Sequence, residues 1–190
     1  MIIIGLGNPG KKYENNRHNV GHIFIDYLTQ NSPSDSEGKT QNQVRLGQNQ
    51  NLKLKIFKTN CFMNESGKEV KKILKKLQVT SYKLQDVFIV HDDLDIPLGK
   101  FRIDFGKGPR LHNGIKSIEQ TLKTKDFWRI RIGVDNRQKT GWVDGEVYVL
   151  QDFLPEEKEI LEKEVLLKIV KKILNYCQPF PTAAVKNRLV

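Results

Sequence analysis

The sequence predicts an α/β fold with a largely parallel sheet, formed by one domain that spans residues 1–190. Segments with the pattern of strands alternate along the chain with segments that have the apolar spacing of helices. Residues 87–90 are four consecutive apolar residues, which is typical of a central strand covered on both faces. The 190 residues contain no linker and no internal repeat that would mark a second domain.

The first strand and the loop after it form the centre of the predicted site. Residues 1–4 are an apolar run that predicts a buried strand, and the glycine-rich residues 5–10 end it. After a polar segment, apolar residues return with helical spacing at Val20, Ile23, Phe24, Tyr27 and Leu28. Ligands of open α/β sheets bind in the crevice beyond the carboxyl ends of the strands. We therefore expect Asn8 and His18, which lie between this strand and helix, to border a binding site.

The same loop also matches the spacing of a dinucleotide-binding motif. Gly5, Gly7 and Gly10 form a G-x-G-x-x-G sequence after a strand. That motif requires a helix to begin directly after the glycines, because the helix N-terminus holds the pyrophosphate. Here the helical pattern begins only at Val20, and the acidic residue expected further on is Asp26, inside that pattern. The sequence therefore argues against a nucleotide site.

The later segments continue the alternation of strands and helices. Residues 31–51 are rich in Ser, Asn, Gln and Gly and predict a surface loop with room for a short edge strand. Alternating apolar and charged residues predict strands at residues 52–56, 101–105 and 128–134. Helices are predicted after Ser66, which is a candidate N-cap, and from residue 112.

Three further segments complete the pattern. The apolar strand at residues 87–90 is followed at its carboxyl end by a loop with three carboxylates, residues 91–95. Residues 147–150 form a last short apolar segment. A long helix is predicted from Pro155, because a proline followed by two glutamates suits the first turn of a helix.

The positive charge of the chain is concentrated in one segment. Residues 100–140 contain 11 Lys and Arg against 4 Asp and Glu, so most of the net charge of +10 lies there. A localised basic segment is typical of proteins that bind a polyanion such as nucleic acid. The alternative is a lysine-rich surface that serves only solvation. The concentration of the charge favours a nucleic-acid partner.

Composition also predicts the compartment and the state of assembly. No run of 18 apolar residues predicts a transmembrane helix, so no membrane partner is expected. The strand pattern starts at the first residue, which leaves no room for a signal or transit peptide and predicts a cytoplasmic protein. Cys61 and Cys177 are isolated thiols, which suits a reducing compartment and excludes a zinc ribbon. No apolar stripe calls for a dimer, so we expect a monomer without an obligate protein partner.

A metal centre is the first of two site classes that the polar loop residues fit. His18 and His22 stand four residues apart, and His91, His112 and the nearby carboxylates complete a possible ligand set. Against this interpretation, the chain has no H-E-x-x-H motif and no cysteine placed as a ligand. His22 is also expected to face away from His18. The sequence therefore predicts neither a metal nor another cofactor.

The second class is a metal-free acid–base site with one imidazole. A neutral histidine such as His18 can take a proton from water near neutral pH. A carboxylate such as Asp92, bonded to the other ring nitrogen, sets the tautomer and stabilises the imidazolium. Asparagine amides can hold a polar substrate or a developing oxyanion without titrating. Because the chain has no G-x-S-x-G motif and no cysteine beside a histidine, water is the expected nucleophile and an ester of a nucleic-acid conjugate the expected substrate.

Five blocks of the sequence resemble the signature of the bacterial-type peptidyl-tRNA hydrolases. They are G-L-G-N-P-G-x-x-Y-x-x-x-R-H-N-V-G from Gly5, F-M-N-x-S-G from Phe62, H-D-D-L-D from His91, H-N-G from His112 and R-x-R-I-G from Arg129. The blocks follow the family's order and spacing over essentially the whole chain. The resemblance implies a single α/β domain with a twisted mixed sheet flanked by helices, and a reaction that needs no metal.

The resemblance also implies a function and a set of roles. The enzyme would cleave the ester that joins a peptide to the 3′-terminal ribose of tRNA, and so recycle peptidyl-tRNA released from ribosomes. His18 would be the base that activates water, and Asp92 would orient and polarise it. The binding residues would be Asn8 and Asn113 for the terminal nucleotide and peptide backbone, Asn64 for substrate and water, Tyr13 and Met63 for the pocket lining, and Arg129 and Arg131 for acceptor-stem phosphates.

One loop departs from the family pattern and raises an alternative. Arg110 and Leu111, which follow Pro109, stand where the family usually has two glycines. Splicing factors of plant organelles resemble this family but act as RNA-binding proteins, so a non-catalytic RNA-binding protein on the same scaffold is the alternative. The hydrolase is favoured because a binding protein does not need the combined set Asn8, His18, Asp92 and Asn113.

Overall fold

The computed structural model describes residues 1–31, 43–46, 52–79 and 81–176. The strands are β1 (Ile2–Gly5), β2 (Gln43–Leu46), β3 (Leu52–Lys58), β4 (Val87–Pro97), β5 (Phe101–Phe105) and β6 (Trp128–Asp135). The helices are α1 (Val20–Gln30), α2 (Ser66–Lys76), α3 (Asn113–Leu122), α4 (Arg137–Thr140), α5 (Gly145–Val149), α6 (Pro155–Ile160) and α7 (Leu167–Tyr176). A π-helical segment, Leu161–Leu166, joins α6 to α7, and short 3-10 turns occur at Lys11–Tyr13, Arg17–Asn19, Met63–Glu65 and Ser81–Asp86.

Within the described residues, six strands form one sheet in the order β2-β3-β1-β4-β6-β5. The four central strands are parallel, and β2 and β5 pair antiparallel at the two edges. This is the predicted α/β fold with a mixed, largely parallel sheet, and the prediction is confirmed. Because β1 lies between β3 and β4, the strand order reverses at β1. The carboxyl ends of β1 and β4 therefore border the crevice where such sheets bind ligands.

The two faces of the sheet are covered by different helices. Side chains of β1 alternate between the faces, since Ile3 belongs to one buried cluster and Ile4 to the other. The first cluster includes Phe24 of α1 and Ile169 of α7, and the second includes Ile118 of α3. Both faces of the central strands are thus buried, which explains why their sequences are continuously apolar.

Strand β4 is longer than the sequence predicted. Residues 91–95 were expected in a loop after the strand, but they lie within β4, which pairs with β6 as far as Asp93 and again at Pro97. Gly133 of β6 makes this possible, because a Cβ at that position would collide with the Pro97 carbonyl oxygen. The carboxylates of residues 91–95 are therefore held on a rigid strand rather than in a loop.

The helix predictions are confirmed with one correction. A helix begins at Ser66, at residue 113 and at Pro155, as expected. Ser66, however, is the first residue of α2 rather than its N-cap, and its hydroxyl donates a hydrogen bond to the Met63 carbonyl oxygen. Residues 147–150 include the end of helix α5, which Asp144 caps.

Several expectations fall on residues that the structure describes only in part. Of the predicted surface loop at residues 31–51, residues 43–46 form the edge strand β2, and residues 32–42 and 47–51 lie outside the described residues. Cys177 also lies outside the described part of the chain. Among the described residues, no helix is both long and apolar enough to cross a membrane.

Candidate active site

A cavity of about 1100 Å³ lies beyond the carboxyl ends of β1 and β4. It brings together seven of the residues that the sequence predicted for the site, which come from five separate segments of the chain: Asn8, His18, Met63, Asn64, Asp92, Asn113 and Arg129. His112 also lines it. Asn8 and His18 follow β1, Met63 and Asn64 follow β3, Asp92 lies within β4 and Asn113 is the first residue of α3.

Two histidines bond to the same oxygen of Asp92. The His18 Nδ1 atom lies 2.8 Å from Asp92 Oδ1, and the His112 Nε2 atom lies 2.9 Å from the same oxygen. The carboxylate itself is buried. Burial alone would raise the pKa of Asp92, but the two neighbouring histidines outweigh it and hold this pKa well below its usual range. Asp92 is therefore an anion whose negative charge is balanced by two imidazole rings.

The hydrogen bonds of His112 determine its tautomer. Its Nδ1 atom accepts bonds from the backbone N–H groups of Gly114 at 3.1 Å and Ile115 at 3.2 Å, which caps helix α3. A nitrogen that accepts two N–H groups carries no proton, so the proton of the neutral ring is on Nε2 and is donated to Asp92. Both ring nitrogens of His112 are thus occupied, and this ring has no lone pair left for a substrate.

His18 differs because only one of its nitrogens is occupied. Nδ1 donates to Asp92, while Nε2 makes no bond to any described residue and His18 lines the cavity. Burial alone would lower the pKa of His18, but the Asp92 carboxylate outweighs it and raises this pKa above 6.5. The ring can therefore accept a proton at Nε2 and be stabilised in its charged form by Asp92.

The backbone at His18 is fixed by its neighbour Arg17. The Arg17 guanidinium is buried, bonds to Glu157 Oε2 at 2.6 Å and donates to the Asp152 carbonyl oxygen at 2.9 Å. It also lies over the ring of Tyr148, 4.1 Å from its centroid. These contacts attach the turn Arg17–Asn19 to helix α6, and so they orient His18 towards the cavity.

Asn8 is held so that its amide nitrogen makes no bond to the described residues. Its side-chain oxygen accepts from the Met63 backbone N–H at 2.8 Å, so the amide oxygen is occupied and the NH₂ group is the part left for a ligand. The Asn8 backbone exchanges two hydrogen bonds with the side chain of Asn19, at 2.8 and 2.9 Å. The arrangement offers an N–H donor beside His18.

The glycines of the first loop have a packing role. A Cβ at Gly5 would collide with the backbone of Gly21 in α1, and a Cβ at Gly21 would collide with Leu6 and Val90. Helix α1 therefore begins in direct backbone contact with β1 and β4, which only glycine allows. This contact explains Gly5 without a nucleotide, while a Cβ at Gly7 would collide with the ring of His22 and Gly10 has a φ of +103°.

The remaining predicted pocket residues divide into two groups. Asn64 and Asn113 are exposed and line the cavity, and Met63 is buried at its wall. Tyr13, which was also expected to line the pocket, is not among the residues that line the cavity. Its ring packs edge-to-face on Phe62, with 6.3 Å between centroids, and Phe62 is the ring that borders the cavity. Tyr13 therefore supports Phe62, the ring that lines the cavity.

Arg129 and Arg131, the predicted ligands of acceptor-stem phosphates, are both buried. Arg129 is 1% exposed, although it borders the cavity, and its Nη2 atom bonds to Glu119 Oε1 at 2.8 Å. Arg131 bonds to Asp93 at 2.7 Å and to Asp104 at 2.8 Å. In this arrangement both guanidiniums are paired with carboxylates, so a phosphate would have to compete with an ion pair that is already formed. The alternation placed both arginines on one strand face, but it did not show that this face is covered.

The alternative of a metal centre is weakened by the same hydrogen bonds. One ligand atom from each of His18, Asp92 and His112 lies within 4.8 Å of the others, which is a possible metal cluster. However, His112 could offer Nε2 to a metal only by moving its proton to Nδ1, against the N–H groups of Gly114 and Ile115. The three side chains are therefore better explained as a hydrogen-bonded network.

The other two histidines of the proposed metal set lie elsewhere. His22 bonds to Thr59 Oγ1 at 3.3 Å, and burial together with Lys58 lowers the pKa of His22 to about 4. His91 is fully buried, and its Nδ1 atom bonds to the carbonyl oxygen of Asp92. Neither lines the cavity.

Sequence reasoning missed three features of the site: the bond between His112 and Asp92, the support of Asn8 by Asn19, and the ion pair between Arg17 and Glu157. Asn19 and Arg17 both lie in the first signature block, directly beside His18, which was the available signal. Nothing in the local sequence indicates Glu157, because it is 140 residues from Arg17.

Comparisons with known proteins agree on one family. The family model described as peptidyl-tRNA hydrolase matches residues 2–188. A peptidyl-tRNA hydrolase of Desulfitobacterium hafniense is 36% identical over 172 residues, which cover 90% of each chain. Another, of a Sulfurihydrogenibium species, is 37% identical over 92% of this chain and 95% of its own. The crystal structure of peptidyl-tRNA hydrolase from Acinetobacter baumannii matches with a TM-score of 0.64 at 25% identity, over 92% of this chain and 90% of its own.

Proposed function

This chain belongs to the peptidyl-tRNA hydrolase family, and from that premise we propose that His18 is the general base of the hydrolysis and Asp92 the carboxylate that orients it. Its reaction is the hydrolysis of peptidyl-tRNA, and its substrate is peptidyl-tRNA. The observation that carries the assignment of roles is the 2.8 Å bond between His18 Nδ1 and Asp92 Oδ1, with the opposite edge of the ring at the cavity.

The reaction begins with a water molecule beside His18 Nε2. The imidazole takes a proton from this water as the oxygen attacks the carbonyl carbon of the ester, and a tetrahedral intermediate forms. The imidazolium is stabilised by Asp92, which keeps its negative charge. When the intermediate collapses, the proton on Nε2 passes to the 3′-oxygen of the ribose as the bond between that oxygen and the carbonyl carbon breaks. The products are a free peptide and tRNA.

Asparagine side chains supply the neutral donors. The NH₂ group of Asn8 bonds to no described residue, and Asn8, Asn64 and Asn113 border the same cavity as His18. We assign Asn8 and Asn113 to the terminal nucleotide and the peptide backbone, and Asn64 to the substrate and the attacking water. Amide donors suit this task because they stabilise a developing oxyanion and do not change charge with pH.

Exposed cations at the cavity replace the buried arginines as phosphate ligands. Arg110, Lys116 and Lys125 are exposed and line the cavity, on the loop before α3, within α3 and after it. Solvated cations bind phosphates by releasing counterions, a gain that a buried and already paired arginine does not offer. We therefore assign the acceptor stem to this side of the cavity.

We also propose that the enzyme acts as a cytoplasmic monomer, in one domain of residues 1–190, without a membrane or an obligate protein partner. Its reaction uses no metal and no other cofactor. Light scattering of the purified protein would test the monomer, because a concentration-independent mass of twice 22.0 kDa would contradict it.

The test is hydrolysis of an N-blocked aminoacyl-tRNA by wild type, His18→Ala and His22→Ala, with and without EDTA. Loss of a general base costs on the order of 10²–10⁴-fold in rate, so His18→Ala should lose most of its activity. His22→Ala is the matched control, because His22 lies in the first turn of α1, four residues after His18, but does not line the cavity.

EDTA should leave the wild-type rate unchanged. Loss of activity with EDTA would support a metal centre instead. Tight tRNA binding without cleavage by wild type would support the RNA-binding alternative.

A further inference from the structure

Arg129 occupies the centre of the contacts beneath the loop at residues 106–111. Its Nη1 atom donates to the Gly108 carbonyl oxygen, and its Nη2 atom donates to Glu119 Oε1 at 2.8 Å and to the Lys125 carbonyl oxygen at 3.4 Å. Gly108 precedes α3, Glu119 lies within it and Lys125 follows it. One buried side chain therefore holds three points of the segment that contains α3.

The segment between Gly108 and Glu119 includes His112. Both of its ends are attached to Arg129, so the guanidinium determines where the segment lies relative to β6. His112 reaches Asp92 from this segment. The position of Arg129 is thus connected to the network around His18 through a short, continuous set of bonds.

The loop has little apolar support of its own. Leu111, beside His112, is 92% exposed and buries almost nothing. Gly108 has φ near +61° and lies against the guanidinium of Arg131, where a Cβ would collide. The Arg110 N–H donates to Asp95 at 3.0 Å. Polar contacts from β4 and β6, rather than a hydrophobic anchor, hold the loop in place.

We propose that Arg129 is a positioning residue for hydrolysis, which holds Gly108 and Glu119 in place so that His112 stays bonded to Asp92 and tunes the Asp92–His18 pair. This inference rests on the proposed role of His18 as base. Arg129 does not touch the reacting atoms; it acts through the loop and His112.

The physical consequence concerns the charge on Asp92. At present Asp92 Oδ1 is shared between two donors, His18 and His112. If the loop shifts, His112 withdraws and His18 becomes the main partner of the carboxylate. The charged form of His18 is then favoured more strongly, so a smaller fraction of the ring is a free base at neutral pH.

Arg129→Gln tests the inference by its pH profile. We expect kcat to fall by up to about a hundredfold, the effect that misplacement of a catalytic group can have, and the inflection of kcat/KM to move to higher pH. Arg129→Lys, which keeps the charge but cannot reach all three partners, should restore only part of the activity. Arg137→Gln is the control, because Arg137 loses an ion pair with Asp135 but makes none of these loop contacts.

A double-mutant cycle separates positioning from general destabilisation. In the His112→Asn background the contact with Asp92 is already lost, so Arg129→Gln should add little further loss of kcat. Full additivity of the two substitutions would overturn the proposal. So would a lower melting temperature of Arg129→Gln with an unchanged pH inflection.

NMR of the imidazole N–H protons gives a test that does not depend on activity. The His112 Nε2 proton, buried and donated to Asp92, should exchange slowly in wild type and in Arg137→Gln, and quickly in Arg129→Gln. Slow exchange in Arg129→Gln would overturn the proposal. If His18→Ala retained full activity, the role of His18 would fail, while this measurement would still decide whether Arg129 holds His112.

Discussion

Asp92 holds two histidines on one oxygen, and the two differ in what their second nitrogen does. The side chain of His18 is 11% exposed and its Nε2 atom is free for the cavity, whereas that of His112 is 3% exposed and its Nδ1 atom caps a helix. Both residues are histidines, and both bond to the same oxygen of Asp92. The second nitrogen therefore decides that one ring can act as a base and the other only as a donor.

Removal of the Asp92 carboxylate, the common partner of His18 and His112, should have the largest effect on hydrolysis. In Asp92→Asn the neutral amide can no longer stabilise the His18 imidazolium, and we expect kcat/KM to fall on the order of 10²–10⁴-fold. Steady-state hydrolysis of N-blocked aminoacyl-tRNA measures it, with unfolding curves to show that the variant is folded. A fall of less than threefold would mean that His18 does not depend on Asp92.

His112→Asn separates the two tasks of the second histidine. Asparagine is a good N-cap, so α3 should remain capped while the bond to Asp92 is lost. A hydrogen bond to a charged group contributes about 1.5–3 kcal/mol, so a loss of at least roughly tenfold in kcat/KM is expected. His112→Ala should lose this activity and, in addition, about 1 kcal/mol of the free energy of unfolding, measured by urea denaturation. Equal stability of the two variants would contradict the capping role.

The pH dependence of kcat/KM distinguishes His18 from His112, because in the proposed mechanism only His18 changes its protonation state. The base must be neutral, so kcat/KM should rise with pH, pass an inflection above 6.5 and then level off, since Asp92 raises the pKa of His18. In Asp92→Asn the causes that raise this pKa are gone and burial, which lowers it, remains. The inflection should then move to lower pH. An inflection at the same pH in both enzymes would exclude Asp92 as the partner that sets it.

The smallest effect is expected from Lys116, whose backbone N–H bonds to the His112 carbonyl oxygen but whose side chain bonds to neither histidine. Lys116→Gln removes one exposed cation at the cavity, so KM should rise a few-fold with kcat unchanged, and the slope of log KM against log salt should fall by about 1. Lys163→Gln, on the exposed surface of the C-terminal helix, is the control. A change in kcat rather than KM would assign Lys116 to the chemistry.

The fold, and the positions of Asn8, His18 and Asn64 along the chain, could be predicted because they follow from local sequence patterns. Apolar periodicity gave the strands and helices, and the loops after β1 and β3 contained Asn8, His18 and Asn64. The orientation of His112 could not be predicted, since it depends on backbone N–H groups of a helix end. The burial of Arg129 could not be predicted either, because strand alternation shows which side chains share a face but not what covers that face.

The ion pair between Arg17 and Glu157 has a consequence for the synthesis of the chain on the ribosome. A ribosome makes a chain from its N-terminal end, so Arg17 and His18 emerge before Glu157, which follows Arg17 by 140 residues. A buried arginine without its partner is costly, by about 3–5 kcal/mol. We therefore expect a nascent chain that has not yet reached Glu157 to leave Arg17 unpaired and to leave the turn Arg17–Asn19, which contains His18, without its attachment to α6.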